Sequence, residues 1–156
     1  MKLFQYIKRE LIITGLRAKD KADALRRVTR AFKQAGLVEK DGELLSRLMT
    51  REKVMTTGIG KGLAVPHAFS EEIEDMAIAV ALLSKEVDFQ SLDQEPVKVI
   101  FMIVANDRRT DLNLKALAGI SRMTIHTPLV ERLRSARDPG EVLSIIQESE
   151  GQVAHH

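Results

Sequence analysis

A short stretch of the sequence, residues 50–67 (TREKVMTTGIGKGLAVPH), contains the residue types needed to receive a phosphoryl group. His67 carries an imidazole, which is a competent nucleophile when neutral and is substantially neutral near pH 7. Arg51 carries a guanidinium, which stays charged and matches phosphate oxygens through parallel N–H donors. The two residues therefore predict a phosphoryl-transfer site that needs no metal ion. The alternative is that His67, which follows a proline, is only a structural residue of a loop.

Three glycines, Gly58, Gly60 and Gly62, alternate with other residues within the same stretch. Glycine adopts backbone conformations that other residues avoid, so this loop can turn several N–H groups towards one anion. Two nucleotide-binding motifs do not fit. The phosphate-binding P-loop requires Ser or Thr after its lysine, whereas Lys61 is followed by a glycine, and the dinucleotide motif GxGxxG requires glycines that open a helix. We therefore predict that the backbone of the glycine loop binds phosphate oxygens directly.

Neither a cofactor nor a metal ion is predicted. The sequence has no cysteine, which excludes disulfides, thiolate metal sites and cysteine nucleophiles. His155 and His156 are adjacent at the end of the chain, and two neighbouring tail histidines are weak evidence for a metal site. His126 is predicted to be an exposed residue in a connection between two helices. Asp107 and Asp111 flank a basic pair and are expected in a solvated loop, with the rim of the site as the alternative.

The hydrophobic pattern predicts the elements that must position this site. Residues 76–83 and 97–105 are almost continuously apolar, as expected of strands that are covered on both faces. Residues 10–14 are a further short strand candidate, and residues 63–66 are predicted to be extended because a proline disfavours helix in the residue before it. The glycine-rich segment 56–62 is predicted to have no regular structure.

Apolar residues at helical spacing predict helices in the remaining segments. Asp20 is a suitable N-cap for the first helix and Gly36 a suitable end, and a second helix is predicted over residues 41–53. After Thr110, one apolar stripe consists of Leu114, Leu117, Ile120 and Met123. Strands mixed with helices that can cover both sheet faces predict an α/β fold, with a mixed β-sheet and helices on both faces.

The composition bounds the class of protein. The chain has 156 residues, of which 44% are hydrophobic, enough for a single layered domain over residues 1–150 with a sizeable core. Residues 151–156 are expected to be a disordered tail. No run of about 18 apolar residues occurs, so no membrane-spanning helix is expected, and charges at residues 8–10 interrupt any signal peptide. We therefore expect a cytoplasmic protein.

The net charge of +2 hides an uneven distribution. Residues 1–62 contain 15 basic and 7 acidic residues, whereas residues 63–156 contain 9 and 15. This pattern indicates either a positive surface that attracts an acidic partner or phosphate, or simply solvated helix faces. The sequence contains neither a zinc-binding pattern nor a basic stretch interleaved with aromatic residues, so nucleic-acid binding is not expected.

The stretch from Arg51 to His67 resembles the active-site region of the enzyme IIA domains of the fructose/mannitol type, which belong to the bacterial phosphotransferase system. The shared features are an arginine-glutamate pair, the pattern T-G-I-G-x-G and a small apolar run ending in A-V-P-H. The resemblance extends over residues 10–149. It includes K-A-D-A-L from Lys21, V-D-F and P-V-K-V-I-F within residues 87–101, and the closing L-R-S-A-R-D-P-G-E-V-L.

The resemblance implies that His67 accepts the phosphoryl group and that Arg51 is the active-site arginine. The family usually has a second histidine at the start of the helix after the long strand, and here Asn113 stands at that position. An asparagine donates and accepts hydrogen bonds but cannot titrate, so slower transfer is expected than with a second histidine. The alternative is that Asn113 caps the helix or faces solvent.

The resemblance also implies the partners. The donor is expected to be the phosphorylated small carrier protein HPr or its nitrogen-branch relative. The acceptor is expected to act in trans, as a IIB domain or as a regulatory target protein. The free-standing chain and its T-T-G-I-G form favour the nitrogen-regulatory role over a sugar-branch carrier for a fructose- or mannitol-like transporter. A binding module that keeps the fold without the chemistry is a further alternative, supported only by Asn113.

Overall fold

The computed structural model describes residues 2–154, and within them the chain forms six strands and five α-helices. The strands are β1 (Ile7–Leu16), β2 (Gly58–Gly60), β3 (Leu63–Ala64), β4 (His67–Phe69), β5 (Met76–Val87) and β6 (Val97–Ala105). The helices are α1 (Lys21–Gln34), α2 (Asp41–Val54), α3 (Thr110–His126), α4 (Leu129–Arg134) and α5 (Pro139–Val153). A short 3-10 helix, Leu3–Tyr6, precedes β1.

The strands form one mixed sheet in the order β1-β5-β6-β3-β2. β5 and β6 pair antiparallel, and β1 pairs parallel with β5. The far edge of β6 is shared by β3 and β4, which both pair with it in parallel. Between these two short strands, the Pro66 carbonyl accepts a hydrogen bond of 2.9 Å from the Ile103 backbone N–H. This pairing fixes the segment that leads into His67.

Helices cover both faces of the sheet, as predicted for an α/β fold. α1 and α2 pack on one face, where Leu25, Phe32 and Leu48 are fully or almost fully buried. α3, α4 and α5 pack on the other face around Phe101 and Ile120. Successive residues of β5 and β6 enter opposite cores, which explains why both strands are apolar along most of their length.

Two helix starts follow the capping rules. The Asp20 carboxylate accepts a hydrogen bond of 2.8 Å from the Asp23 backbone N–H at the start of α1. The Asp138 carboxylate does the same for the Glu141 N–H at the start of α5, at 2.9 Å. Gly36 follows α1 with a φ of 75°, a left-handed conformation that favours glycine. The predicted boundaries of α1 are confirmed.

Several predicted boundaries differ from the structure. β1 is longer than the strand predicted over residues 10–14, because pairing with β5 extends it on both sides. The segment 56–62 is not wholly irregular, since β2 and β3 form a small antiparallel hairpin. α5 continues through Val153, whose side chain is buried, so the prediction of a tail from Gly151 is wrong for residues 151–153. His155 and His156 lie outside the described residues.

The buried face of α3 also differs from the predicted stripe. Leu114 is 66% exposed, whereas Asn113 and Ala116 are buried together with Ile120 and Met123. The helix is therefore rotated relative to the predicted stripe, and this rotation turns Asn113 into the protein. Within residues 2–154, no helix combines the length and the hydropathy that a membrane-crossing segment requires.

Candidate active site

A cavity of about 590 Å³ opens between α2, β4 and the beginning of α3. It contains the three side chains that the sequence singled out for phosphoryl transfer, His67, Arg51 and Asn113. The remaining lining residues are Ser46, Arg47, Thr50, Val54, Ala68, Phe69 and Asp107. Two basic side chains, one acidic side chain and several neutral ones therefore surround one half-buried imidazole.

His67 is the first residue of β4 and lies opposite Ile103 in β6. Its Nδ1 atom is 2.9 Å from the backbone carbonyl oxygen of Val65. A carbonyl oxygen only accepts, so in the neutral ring Nδ1 carries the hydrogen and donates it. The lone pair is then on Nε2, which is the nucleophilic atom of this tautomer.

The surroundings of His67 lower its pKa below the ordinary value for histidine. Burial of the ring is the main cause, because it disfavours the charged imidazolium. The hydrogen bond to Val65 and the negative charge of Glu52 act in the opposite direction, and the positive charge of Arg51 lowers the pKa further. The imidazole is consequently neutral at pH 7 and able to act as a nucleophile.

Arg51 lies in the last turn of α2 and is half-buried. Its Nη1 atom donates a hydrogen bond of 2.8 Å to the Met55 carbonyl oxygen, just beyond the helix. A cation at this end complements the helix dipole. The bond uses one of the five guanidinium N–H donors, so the others remain available to an anion in the cavity.

Glu52, beside Arg51, holds the end of α2 against β2. Its buried carboxylate accepts hydrogen bonds from the Thr57 backbone N–H at 3.1 Å and from the Thr57 hydroxyl at 2.7 Å. It also forms an ion pair of 3.1 Å with the Lys21 ammonium, which lies 5.3 Å from the centroid of the Phe89 ring. The sequence drew attention to Glu52 only as part of the arginine-glutamate pair, and this network gives the pair a structural reason.

Asn113 is 6% exposed, and its Oδ1 atom accepts no hydrogen bond from the described residues. It lies in the first turns of α3 and lines the cavity with His67. The interpretation that Asn113 caps the helix or faces solvent is therefore wrong. A buried amide oxygen without a donor costs about 1–3 kcal/mol, which a ligand or water with a free hydrogen can offset.

Gly58, Gly60 and Gly62 are not among the described residues that line the cavity. Gly58 and Gly60 instead permit close packing of the hairpin. A Cβ atom at Gly58 would lie 2.1 Å from Ser91 Oγ, and one at Gly60, where φ is 98°, would lie 2.9 Å from the Asp93 carboxylate. The structure thus does not bring the glycine loop to His67 to form the predicted phosphate cradle.

The Asp93 carboxylate accepts hydrogen bonds from the backbone N–H groups of Lys61 and Glu95, at 2.9 and 3.0 Å. These two bonds lower the pKa of Asp93. The anion that the hairpin amide of Lys61 binds is therefore a carboxylate of the protein itself.

Two further charged residues line the cavity: Arg47, which the sequence did not single out, and Asp107, for which the rim of the site was the alternative. Arg47 precedes Arg51 by one helical turn, and this spacing on α2 is the signal that could have identified it. Asp107 was expected in a solvated loop and is exposed, but it also lines the cavity. Asp111 instead forms an ion pair of 3.1 Å with Arg109. His126 is exposed at the end of α3 and is not among the lining residues described.

Two related proteins belong to the nitrogen-regulatory and sugar branches of the phosphotransferase system. The chain is 32% identical over 138 residues to a nitrogen regulatory protein of Bradyrhizobium diazoefficiens, covering 88% of this chain and 89% of the relative. It is 26% identical over 148 residues to the fructose-specific EIIABC component of the phosphotransferase system of Bacillus subtilis. That match covers 95% of this chain but only 23% of the relative.

Two solved structures share the fold. The nitrogen regulatory protein IIA-Ntr of Neisseria meningitidis superposes with a TM-score of 0.85 at 20% identity, covering 92% of this chain and 98% of the other. Enzyme IIA of the mannitol system, solved in complex with phosphorylated enzyme IIB from Escherichia coli, superposes with a TM-score of 0.75 at 22% identity. That superposition covers 91% of this chain and 99% of the other.

Residues 5–149 match the family described as phosphoenolpyruvate-dependent sugar phosphotransferase system, EIIA 2. This match spans nearly the whole chain, and it includes all of the residues that line the cavity around His67. The chain therefore belongs to the EIIA 2 family of the phosphotransferase system, whose members are phosphocarriers.

Proposed function

We propose that this protein accepts a phosphoryl group on Nε2 of His67 and passes it to a second protein. The Nε2 lone pair attacks phosphorus while the bond between phosphorus and the donor nitrogen breaks, and its electron pair returns to the donor. The observation that carries the proposal is the 2.9 Å contact between Nδ1 and the Val65 carbonyl, which leaves Nε2 as the nucleophile in an open cavity.

Arg51 is assigned to the phosphoryl oxygens. A loose phosphoryl-transfer transition state spreads negative charge over three equatorial oxygens, so catalysis depends on positioning and on positive charge. The guanidinium of Arg51 is close enough to His67 to lower the pKa of the imidazole, and it remains charged throughout. Asn113 is assigned a weaker role, that of a neutral hydrogen-bonding group beside the phosphoryl group.

The proposed donor is the phosphorylated carrier HPr or its nitrogen-branch relative, and the proposed acceptors act in trans in the cytoplasm. The nitrogen-regulatory role is favoured because the match to the Bradyrhizobium nitrogen regulatory protein covers 89% of that relative. In that role, the phosphorylation state of His67 controls binding to regulatory target proteins.

A sugar-branch role is the second candidate. It is favoured by the match to the fructose-specific EIIABC component and by the fold shared with mannitol enzyme IIA, which forms a complex with phosphorylated enzyme IIB. In that role, a separate IIB domain would take the phosphoryl group from His67. A labelled transfer assay with purified IIB domains separates the two roles, since only a sugar-branch carrier passes the label on.

Incubation with phosphorylated HPr tests the proposal. We expect the intact mass of the wild-type protein to rise by one phosphoryl group. The matched variants are His67→Gln, which should gain nothing, and His126→Gln, which removes an exposed histidine distant from the cavity and should be labelled normally. A wild-type protein that binds HPr but gains no phosphoryl group would instead indicate a binding module.

A further inference from the structure

We propose that Arg47 is a second phosphate-binding residue, which engages the phosphoryl group during its transfer to His67 and in the phosphorylated protein. This inference rests on the proposed function of His67 and adds a residue to that site. Arg47 is in the middle of α2, outside the stretch from Arg51 to His67 that carries the family resemblance.

Arg47 and Arg51 lie on the same face of α2. Residues four apart in a helix are neighbours on its surface, and both of these side chains line the cavity with His67. Ser46, Thr50 and Val54 belong to the same face and also line the cavity. The helix therefore presents two guanidinium groups to the same space, one turn apart.

The Arg47 side chain is anchored to the strand that carries His67. Its Nη1 atom donates a hydrogen bond of 2.8 Å to the backbone carbonyl of Phe69. Phe69 is the second residue after His67 in β4, and side chains two apart along a strand lie on the same face. One N–H group is used in this bond, so four of the five guanidinium donors remain free to bind oxygen atoms.

The charge of Arg47 is available to a ligand. Among residues 2–154, its guanidinium forms no salt bridge with a carboxylate, whereas Arg26, Arg27, Arg109 and Arg132 do. A phosphoryl group on a protein carries about −1.5 to −2 charges at pH 7. Because the hydrogen stays on Nδ1, the phosphorylated ring carries a positive charge that offsets part of the phosphoryl charge. Arg51 offsets the rest and Asn113 is neutral, so the exposed carboxylate of Asp107 on the cavity wall leaves a deficit of positive charge. A second guanidinium removes it.

The two arginines have separable effects on His67. Arg51 and Glu52 are the charged groups that shift the pKa of the imidazole. Arg47 is hydrogen-bonded two residues further along β4, so we expect its charge to act more on the oxygens of an added phosphoryl group than on the ring. Replacing Arg51 should therefore raise the pKa of unphosphorylated His67, whereas replacing Arg47 should raise it less.

Phosphoramidate, a small donor with a phosphorus–nitrogen bond, tests the inference without a protein partner. Nε2 forms the new bond to phosphorus, the donor's phosphorus–nitrogen bond breaks, and ammonia leaves. For Arg47→Gln we expect phosphorylation to slow by about tenfold, as expected for the loss of one charge-assisted hydrogen bond. Phosphorus NMR should also show a higher pKa for the phosphoryl group, because a nearby cation favours its dianion.

Arg47→Lys and Arg30→Gln are the matched controls. Arg47→Lys keeps the positive charge but lacks the planar guanidinium. The pKa of its phosphoryl group should therefore be close to that of the wild-type protein, whereas its phosphorylation should remain slower. Arg30→Gln removes an exposed arginine of α1 that lies outside the cavity and should match the wild-type protein in both measurements. If Arg47→Gln behaves like Arg30→Gln in rate and phosphoryl pKa, the inference is overturned while the function of His67 stands.

Inorganic phosphate separates the inference from the proposed function. If phosphoramidate and HPr both leave His67 unlabelled, the proposed function fails, yet phosphate can still be titrated into the unlabelled protein. The His67 ring signals in NMR should then report binding that weakens by about tenfold in Arg47→Gln. Equal phosphate affinities of the wild-type and Arg47→Gln proteins would overturn the inference on that measurement alone.

Discussion

Glu52→Gln should destabilise the protein through the buried network at the end of α2. The side chain of Glu52 is 5% exposed and that of its partner Lys21 is 18% exposed. Glutamine keeps the shape of the side chain but loses the charge, so it leaves the Lys21 ammonium without its counter-ion. The variant thus removes one of the two charges of a buried ion pair.

The size of this loss follows from the burial of the two charges. Removing one partner of a buried ion pair costs about 3–5 kcal/mol, because the other charge stays uncompensated. Lys21 keeps some contact with solvent, so we expect the lower end, about 3 kcal/mol. Urea unfolding measures this as a lower midpoint at an unchanged slope. Glu71→Gln, at an exposed turn position, is the control and should stay within about 0.5 kcal/mol of the wild-type protein.

A double-mutant cycle with Lys21→Met identifies the source of the loss. If the ion pair carries it, the two substitutions together should cost clearly less than the sum of their separate costs, since neither charge is then left alone. A Glu52→Gln variant as stable as Glu71→Gln would refute the reasoning. Strictly additive costs would show that the bonds to Thr57 dominate and that the pairing with Lys21 contributes little.

Three further predictions concern the cavity and the hairpin. An NMR titration of the His67 ring should give a pKa below the ordinary value for histidine. Because the unfolded chain then binds a proton more readily than the folded one, the contribution of His67 to the free energy of unfolding is lost as the pH falls from about 6.5 through the folded pKa. Asn113→Leu should raise the free energy of unfolding by about 1 kcal/mol, because it removes a buried oxygen that lacks a donor; lower stability in urea would contradict this. Gly58→Ala should lower the free energy of unfolding by about 1–3 kcal/mol, because the added Cβ atom collides with Ser91. An unchanged stability in urea would show that the loop moves aside without cost.

The long elements of the fold could be predicted because their signals are local. The apolar runs of β5 and β6 reflect burial on both faces, and Asp20 and Gly36 mark the ends of α1. The short strands β2 and β4 could not be predicted in this way. Each has only three residues and is extended because it pairs with a neighbouring strand. The local sequence therefore says little about where these two strands lie.

The site could be predicted in part. His67 and Arg51 combine a reactive residue type with a recognisable spacing, and the structure brings both into one cavity. Arg47 was missed although its spacing from Arg51 places both on one face of α2, because its contact with Phe69 depends on how α2 packs against β4. The sequence predicted that the glycine loop binds phosphate, but glycines permit close packing as well as anion binding. Only the positions of Ser91 and Asp93 beside the loop show that the glycines serve close packing.

The most direct test is to determine which atom carries the phosphoryl group after labelling with phosphorylated HPr. Proton–nitrogen correlation spectra of the histidine rings, together with phosphorus NMR, distinguish the two ring nitrogens. We expect the phosphoryl group on Nε2 of His67, with the hydrogen retained on Nδ1 and directed at Val65. Phosphorylation at Nδ1, phosphorylation of another residue, or a wild-type protein that acquires no phosphoryl group would contradict the account.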